Sequence, residues 1–454
     1  MSSSFPQTPA LPWPDRQWAS IALSGRMDTG VSPLERAQHF AEALLSERGE
    51  ASGAIVAREL HDGLRSLGAE DRLAFYRFLA ANFRPDADPL RTAAEAYLAD
   101  GSAEAAARLA KAADPPRQEL LRRMNMSPGG TAALVAMRKE LLGHLGREPA
   151  LKLLDADLRH LFASWFNRGH LDLRRIDWQS PAAVLEKLIA YEAVHEIQGW
   201  DDLRRRLAAD RRCFGFFHPA LAGEPLIFVE VALVEGLAAA VQPLLARDDG
   251  DELSARERVA RADTAIFYSI SNCQEGLRGV SFGNFLIKQV VEELRAELPQ
   301  LARFSTLSPV PGFRRWLEKR LAAGGEPEAA LLAPLETAGW WQDAAQTEAL
   351  RRPLLRQCAT YLTGTGGPKG SADPVARFHL SNGARLERVN WLGNVAPRGI
   401  QESYGIMVNY LYDPKTIEAN HEAFAQDGTV VRSPDVDALL AAAAPSVRIA
   451  ASRD

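Results

Sequence analysis

Thr264 to Gly312 reads TAIFYSISNCQEGLRGVSFGNFLIKQVVEELRAELPQLARFSTLSPVPG, and this stretch decides the fold. Ala265 to Ile270 is a short apolar and aromatic run, the pattern of a buried strand. A loop punctuated by Gly276, Gly279 and Gly283 follows. Phe285, Leu286, Val290, Leu294 and Leu298 then recur at helical spacing, with Lys288, Glu292, Glu293 and Arg295 off that face. Arg303 to Leu307 predicts a second strand, closed by Ser308-Pro309. A strand that runs through glycines into a helix N-terminus is a ready anion site, because backbone N–H groups point outward and the helix dipole favours negative charge. The loop is neither G-x-G-x-x-G nor a P-loop ending in Gly-Lys-Ser/Thr. On spacing alone it is equally a glycine-rich turn between strand and helix.

Longer words narrow the choice. Arg278-Gly279-Val280-Ser281-Phe282-Gly283, followed by Asn284, resembles the Arg/Gln-x-x-Gly-x-Gly/Ala loop of the acetyltransferase-like (GNAT) superfamily, with Ser281 where the first motif glycine is usual. GLRGVSFGNFLIKQVV, FSTLSPVPGFRRWL and Gly223-Glu224-Pro225-Leu226-Ile227 resemble the malonyl-CoA decarboxylase family, a specialised branch of that superfamily. The resemblance is dense from about Tyr191 to Tyr412 and thinner before it. It implies an α/β catalytic domain with a GNAT-like mixed sheet, preceded by an all-α helical domain. It also implies that Arg278, Gly279, Val280, Ser281, Phe282, Gly283 and Asn284 cradle the pyrophosphate of coenzyme A.

Composition sets the outer bounds. A chain of 454 residues is too long for one ordinary core, so two domains are the expectation. Hydrophobic residues make up 46% and charged residues 24%, a globular balance. The formal net charge of −5 argues against a general nucleic-acid binder. Cys213, Cys273 and Cys358 form no C-x-x-C, zinc or disulfide pattern, which suits a reducing cytoplasm. MSSSFPQTPALPWPDRQW lacks the basic start and apolar core of a secretory signal and is poor in arginine. The final Ala-Ser-Arg-Asp is not a peroxisomal address. The most apolar segment, Pro225 to Val234, is interrupted by Glu230 and too short to span a bilayer.

In chain order, residues 1–30 read as a loosely ordered Ser/Pro-rich tail, and 31–172 as an all-helical domain for packing or oligomerisation. Ser32-Pro33 with Glu35 is a helix start, and breaks fall at Arg84-Pro85, Asp114-Pro115-Pro116 and Ser127-Pro128-Gly129-Gly130. Residues 173–454 form the catalytic domain, with a helical insertion near 326–362. Helices are predicted at about 181–194 and 201–209, and strands at Arg212 to Phe217 and Leu226 to Val234. Asp373-Pro374 followed by Asn382-Gly383 predicts a short helix, preferred to an Asn-Gly hairpin. Strands are expected at Ala384 to Trp391 and Met407 to Tyr412, with peripheral helices after them.

The family resemblance places two catalytic roles. The serine of the Leu-Ser-Pro-x-Pro-Gly-Phe word is Ser308, and the histidine of the Phe-His-Leu-x-Asn-Gly-Ala word is His379. Loss of carbon dioxide from malonyl-CoA leaves an enolate that must be stabilised and protonated on carbon to give acetyl-CoA. His379 is the expected proton donor, because imidazole titrates near neutrality. Ser308 is expected to orient the malonyl carboxylate, and Tyr412 is a third candidate at the acyl end. The chemistry calls for no metal or biotin, and coenzyme A enters as part of the substrate. The resemblance further implies a homo-oligomer, often a tetramer; cysteine usage, net charge and hydropathy point to a cytoplasmic protein with neither nucleic acid nor membrane as partner. Three alternatives stand beside this. Gly279-Val280-Ser281-Phe282-Gly283 is a G-x-S-x-G word, and Asp373 and His379 follow in the order of a serine hydrolase or thioesterase, although Cys273 to Arg278 separate Ser281 from the strand end. The chain could also be a non-catalytic acyl-CoA-binding regulator, or transfer an acyl group to an amine.

Overall fold

The computed structural model describes residues 31–46, 50–246, 252–280, 286–324, 333–364 and 373–441. The chain divides into two compact units, Met1–Asn167 with Gln274–Val280, and Arg168–Cys273 with Ser281–Asp454.

The first unit is helical. Its described α-helices are α1 (Pro33–Leu44), α2 (Glu50–Ser66), α3 (Ala69–Asn82), α4 (Ala87–Asp100), α5 (Ala103–Ala113), α6 (Pro116–Asn125), α7 (Gly130–His144) and α8 (Lys152–Trp165). Ser32 caps α1 in a reciprocal box: its Oγ accepts the Glu35 N–H, and its own N–H donates to the Glu35 carboxylate at 2.9 Å. The three proline-marked breaks fall between α3 and α4, α5 and α6, and α6 and α7, where proline cannot continue a helix. Leu60, Phe75, Leu79, Leu120, Leu154 and Phe162 have no solvent exposure and form its core.

Gln274–Val280 groups with these helices and not with the strand that precedes it. Glu275–Leu277 makes a 3-10 turn. Gly276 is required by space, since a Cβ there would lie 2.0 Å from the Val135 carbonyl oxygen. Arg138, 1% exposed, donates to the carbonyls of Gly276 (2.7 Å) and Arg278 (2.9 Å) and pairs with Asp155 (2.8 Å). Gly279 has φ +75°, the left-handed region that a side chain disfavours.

The second unit is built on a mixed eight-stranded sheet. Its strands are β1 (Asp172–Ile176), β2 (Arg211–Phe217), β3 (Pro225–Val234), β4 (Thr264–Asn272), β5 (Arg303–Thr306), β6 (Ser308–Pro309), β7 (Arg385–Asn390) and β8 (Met407–Leu411). The order is β1-β2-β3-β4-β5-β8-β6, and β7 also pairs with β8. Among the described strand pairs, only β4 and β5 run parallel. β2 is buried throughout and β3 nearly so, which is why Cys213 to Phe217 and, apart from Glu230, Pro225 to Val234 read as apolar runs. Glu230, inside β3, has no exposure and is held by Arg206 at 2.8 Å. β1 was not legible as a strand: Asp-Leu-Arg-Arg-Ile is charged because it is an exposed edge, paired with β2 alone.

Besides the single turn Gln242–Leu245, the helices α9 (Ala182–Tyr191), α10 (Trp200–Arg206) and α11 (Glu252–Arg261) come before the glycine loop. The helix after it, α12 (Leu286–Glu297), buries Leu286, Ile287, Val290, Val291 and Leu294, a wider face than the sequence spacing indicated. Phe285 lies outside the described residues. The 326–362 insertion, described from residue 333, contains two 3-10 turns and the long helix α14 (Ala344–Thr363); the helix α13 (Phe313–Gly324) precedes it. Asp373-Pro374 opens a helix, α15 (Pro374–Ser381), not a hairpin.

Removing the Arg138 side chain leaves Asp155 and two loop carbonyls without their partner. Arg138→Ala should lower stability by about 3–5 kcal/mol, the cost of breaking a buried pair from one side. Equilibrium urea unfolding measures this, and an unshifted midpoint would remove Arg138 as the anchor of the 274–280 turn.

Candidate active site

β4 and β5 stay parallel for four residue pairs, Thr264↔Arg303 to Phe267↔Thr306, and then part. β4 continues to Asn272 along β3, with an irregularity at Glu230/Val231 that leaves Tyr268 without a partner in the register. The chain after Thr306 turns to β8 as β6. Crevices beyond the carboxyl ends of parallel strands, where neighbours diverge, are the usual ligand positions of open α/β sheets. Ser308 stands at that divergence.

Three chain segments meet there. Thr306 and Ser308 share one face of their extended segment, and Tyr410 of β8 and Tyr412 just past its end share one face of theirs, by the two-residue period of a strand. The helix α15 brings His379 to the same place. Asp373 caps it, its Oδ1 accepting the N–H groups of Val375 (2.9 Å) and Ala376 (3.0 Å). Gly383 ends it at φ +81°, where a Cβ would lie 1.9 Å from the Ile417 carbonyl oxygen.

His379 Nε2 lies 3.0 Å from Ser308 Oγ, and Nδ1 lies 2.8 Å from the Tyr412 hydroxyl. Ser308 has one hydroxyl proton and donates it to Thr306 Oγ1 at 2.9 Å. The imidazole N–H therefore sits on Nε2 and donates to Ser308, while Nδ1 accepts from Tyr412. Thr306 Oγ1 also accepts the Tyr410 N–H at 3.1 Å, which ties this chain of bonds to the sheet. The Tyr410 ring stacks against the imidazole, with centroids 4.7 Å apart and planes at 24°.

Burial dominates the electrostatics. His379 is 2% exposed, and desolvation lowers its pKa from 6.5 to about 3. This corrects the expectation of a ring titrating near neutrality: with no charged partner beside it among the described residues, burial keeps the imidazole neutral. The same burial pushes the Tyr410 and Tyr412 hydroxyls well above their ordinary value.

Of the residues singled out from sequence, the structure brings Ser308, His379 and Tyr412 into one hydrogen-bonded chain. Arg278 and Gly279 are exposed in the first unit and Val280 is buried there. Ser281, Phe282, Gly283 and Asn284 lie outside the described residues. Asp373 is committed to the helix cap and to Tyr361, and both nitrogens of His379 face Ser308 and Tyr412, so no Asp–His pair of a hydrolase forms. Thr306 and Tyr410 escaped the sequence reading. Each lies two residues before a chosen residue, so strand alternation was the signal that could have found them. Among the described residues, no group of three or more His, Cys, Asp or Glu could hold a metal ion.

Residues 169–450 match the family model for the malonyl-CoA decarboxylase C-terminal domain, and residues 83–166 match that for its N-terminal domain. The crystal structure of malonyl-CoA decarboxylase from Rhodopseudomonas palustris is 50% identical, with a TM-score of 0.83 over 89% of this chain and 99% of that one. The Agrobacterium vitis enzyme structure is 49% identical, with a TM-score of 0.82 over 89% of this chain and 100% of its own. The mitochondrial malonyl-CoA decarboxylase of the goose Anser anser anser is 38% identical over 337 residues, which is 68% of this chain and 66% of the goose protein. With both family domains matched in order and two solved relatives aligned over nearly their whole length, this chain belongs to the malonyl-CoA decarboxylase family.

Proposed function

We propose that this protein is a carboxy-lyase that converts malonyl-CoA to acetyl-CoA and carbon dioxide. The observation that carries the reading is the buried Ser308–His379–Tyr412 chain, set where β4 and β5 part. When the bond to the carboxylate carbon breaks, its electron pair moves into the thioester carbonyl and forms the enolate. The thioester is thus its own electron sink, and the proposal includes no metal or biotin. Carbon dioxide leaves neutral, and one proton must be delivered to carbon.

On substrate binding Ser308 turns its one hydroxyl proton from Thr306 to the malonyl carboxylate and so holds it. That carboxylate brings negative charge beside the imidazole, which favours its protonated form. His379 then takes a proton from solvent on substrate binding and gives it to the enolate carbon, while Tyr412 keeps the ring orientation through Nδ1. The loop from Arg278 to Asn284 is assigned to the coenzyme A pyrophosphate; the exposure of Arg278 and the open backbone at Gly279 support this.

The proposal extends to a cytoplasmic homo-oligomer, a tetramer in the fullest form, working on the malonyl-CoA of fatty acid metabolism. Three buried free thiols suit a reducing compartment. Leu98 (83% exposed), Met126 (60%) and Leu153 (52%) offer apolar surface on the helical unit for a second copy. No helix among the described residues is long and apolar enough to cross a membrane.

His379→Asn and Ser308→Ala should each cut turnover by on the order of 10²–10⁴ while coenzyme A affinity stays close to wild type. Ser281→Ala should be mild, and a fluorophosphonate should leave Ser281 unlabelled. Carbon dioxide release, free thiol and calorimetry with coenzyme A separate these outcomes. A dead Ser281→Ala beside an active Ser308→Ala would overturn the assignment.

Stability should also carry the signature of the neutral ring. The folded pKa of His379 is below its unfolded value of 6.5, so between 6.5 and about 3 the unfolded chain binds a proton that the folded chain refuses. This contribution is present above pH 6.5 and lost as pH falls through that window. Urea midpoints at pH 7 and pH 5 should therefore differ less for His379→Asn than for wild type; an equal or larger drop in the variant would show that the ring is not held neutral.

A further inference from the structure

Asp373 uses its two carboxylate oxygens on different partners. Oδ1 caps α15, the helix that carries His379. Oδ2 accepts the Tyr361 hydroxyl at 3.3 Å, from near the end of α14. The Tyr361 ring lies 6.0 Å from Phe313 and 5.1 Å from Trp316, at the start of α13, the helix entered from the Ser308 turn. Gly312 closes the arrangement, since a Cβ there would lie 2.3 Å from the Tyr361 hydroxyl and 3.6 Å from Asp373 Oδ2. Burial pushes the Asp373 carboxyl above its ordinary value, and the N–H groups of Ala376, Gly312 and Val375 with the Tyr361 hydroxyl oppose that. One buried carboxylate thus meets the His379 helix, the long helix α14 and the end of the Ser308 turn.

We propose that Asp373, with Tyr361, is a positioning residue for the decarboxylation, fixing the Ser308 turn against the His379 helix at the spacing the reaction uses. The proposal rests on the reading of Ser308 and His379 as the acyl-end pair. Asp373 touches no reacting atom in it. A helix cap needs only one acceptor oxygen, and asparagine supplies that as well as aspartate. The second oxygen is what asparagine lacks. Its Nδ2 sets a donor toward the Gly312 N–H and can meet Tyr361 only if that hydroxyl turns round.

Asp373→Asn therefore keeps the cap and removes the clamp, and Tyr361→Phe removes the clamp from the other side. In the full-length protein with malonyl-CoA, each should lower kcat by about 10-fold to 10²-fold, the scale of a misplacement near 1 Å, with KM within about twofold. In a Ser308→Ala background, Asp373→Asn should add little further loss, because positioning acts only through the pair it positions. Wild-type kcat in both clamp variants, or a full multiplicative loss in the double variant, would overturn the proposal. If Asp373→Asn does not fold, Tyr361→Phe decides, since it deletes a single hydroxyl. Normal turnover in Ser308→Ala would instead strike the reading of the acyl-end pair and take the clamp with it. A crippled Ser308→Ala beside unaffected clamp variants would sink the clamp alone.

Discussion

His379 is buried with a tyrosine ring stacked against it, and its nitrogens are bonded to Ser308 of β6 and to Tyr412, the residue after β8. A buried imidazole without a carboxylate neighbour has to be neutral, and a neutral imidazole has one donor and one acceptor to satisfy. Ser308 and Tyr412 meet that demand in a fixed direction because Thr306 takes the serine proton. The surrounding fold follows from keeping these groups together: β8 lies between β5 and β6, the cap on α15 points the helix inward, and Gly383 lets the chain leave past the Ile417 carbonyl. A charge partner for His379 would stabilise the ring when empty, but it would also weaken the ring's response to an arriving carboxylate.

Much of this was legible in the sequence, and the exceptions share a cause. Alternation and apolar runs gave β3, β4, β7 and β8, and cap chemistry at Asp373-Pro374 and Asn382-Gly383 gave the short helix bearing His379. The words around Ser308 and His379 named both residues. The charge state of His379 was not legible, because desolvation depends on what packs around a ring and not on its neighbours in sequence. Thr306 and Tyr410 were hidden for a related reason: a hydroxyl and a ring in apolar strands look like packing until their facing partners are known. The charged β1 and the polar helix Glu252–Arg261 lacked the apolar pattern by which such elements are found.

The glycine loop illustrates how local signals divide. In the sequence Gly276 and Gly279 punctuate one loop and look alike. Gly276 is in fact small because the Val135 carbonyl occupies the space of a side chain, whereas Gly279 is exposed with a left-handed backbone. Arg138 then locks the carbonyls on either side of that turn. Spacing alone cannot tell a glycine that admits its own backbone neighbours from one that admits a ligand.

The order in which the strands leave the ribosome bears on how this protein is made. β8 is the last of the described strands in sequence, yet it lies in the interior of the sheet, between β5 and β6. Ser308 and His379 are 71 residues apart, and His379 and Tyr412 a further 33. Until Leu411 has emerged, β5 has an unpaired edge and the imidazole has no burial site. Contacts of such separation form late and slowly, and an open edge in the meantime invites pairing with another chain. Synthesis therefore passes through a long interval in which most of the polypeptide exists but none of the chemistry does, and yield in a host cell will depend on how that edge is shielded during it.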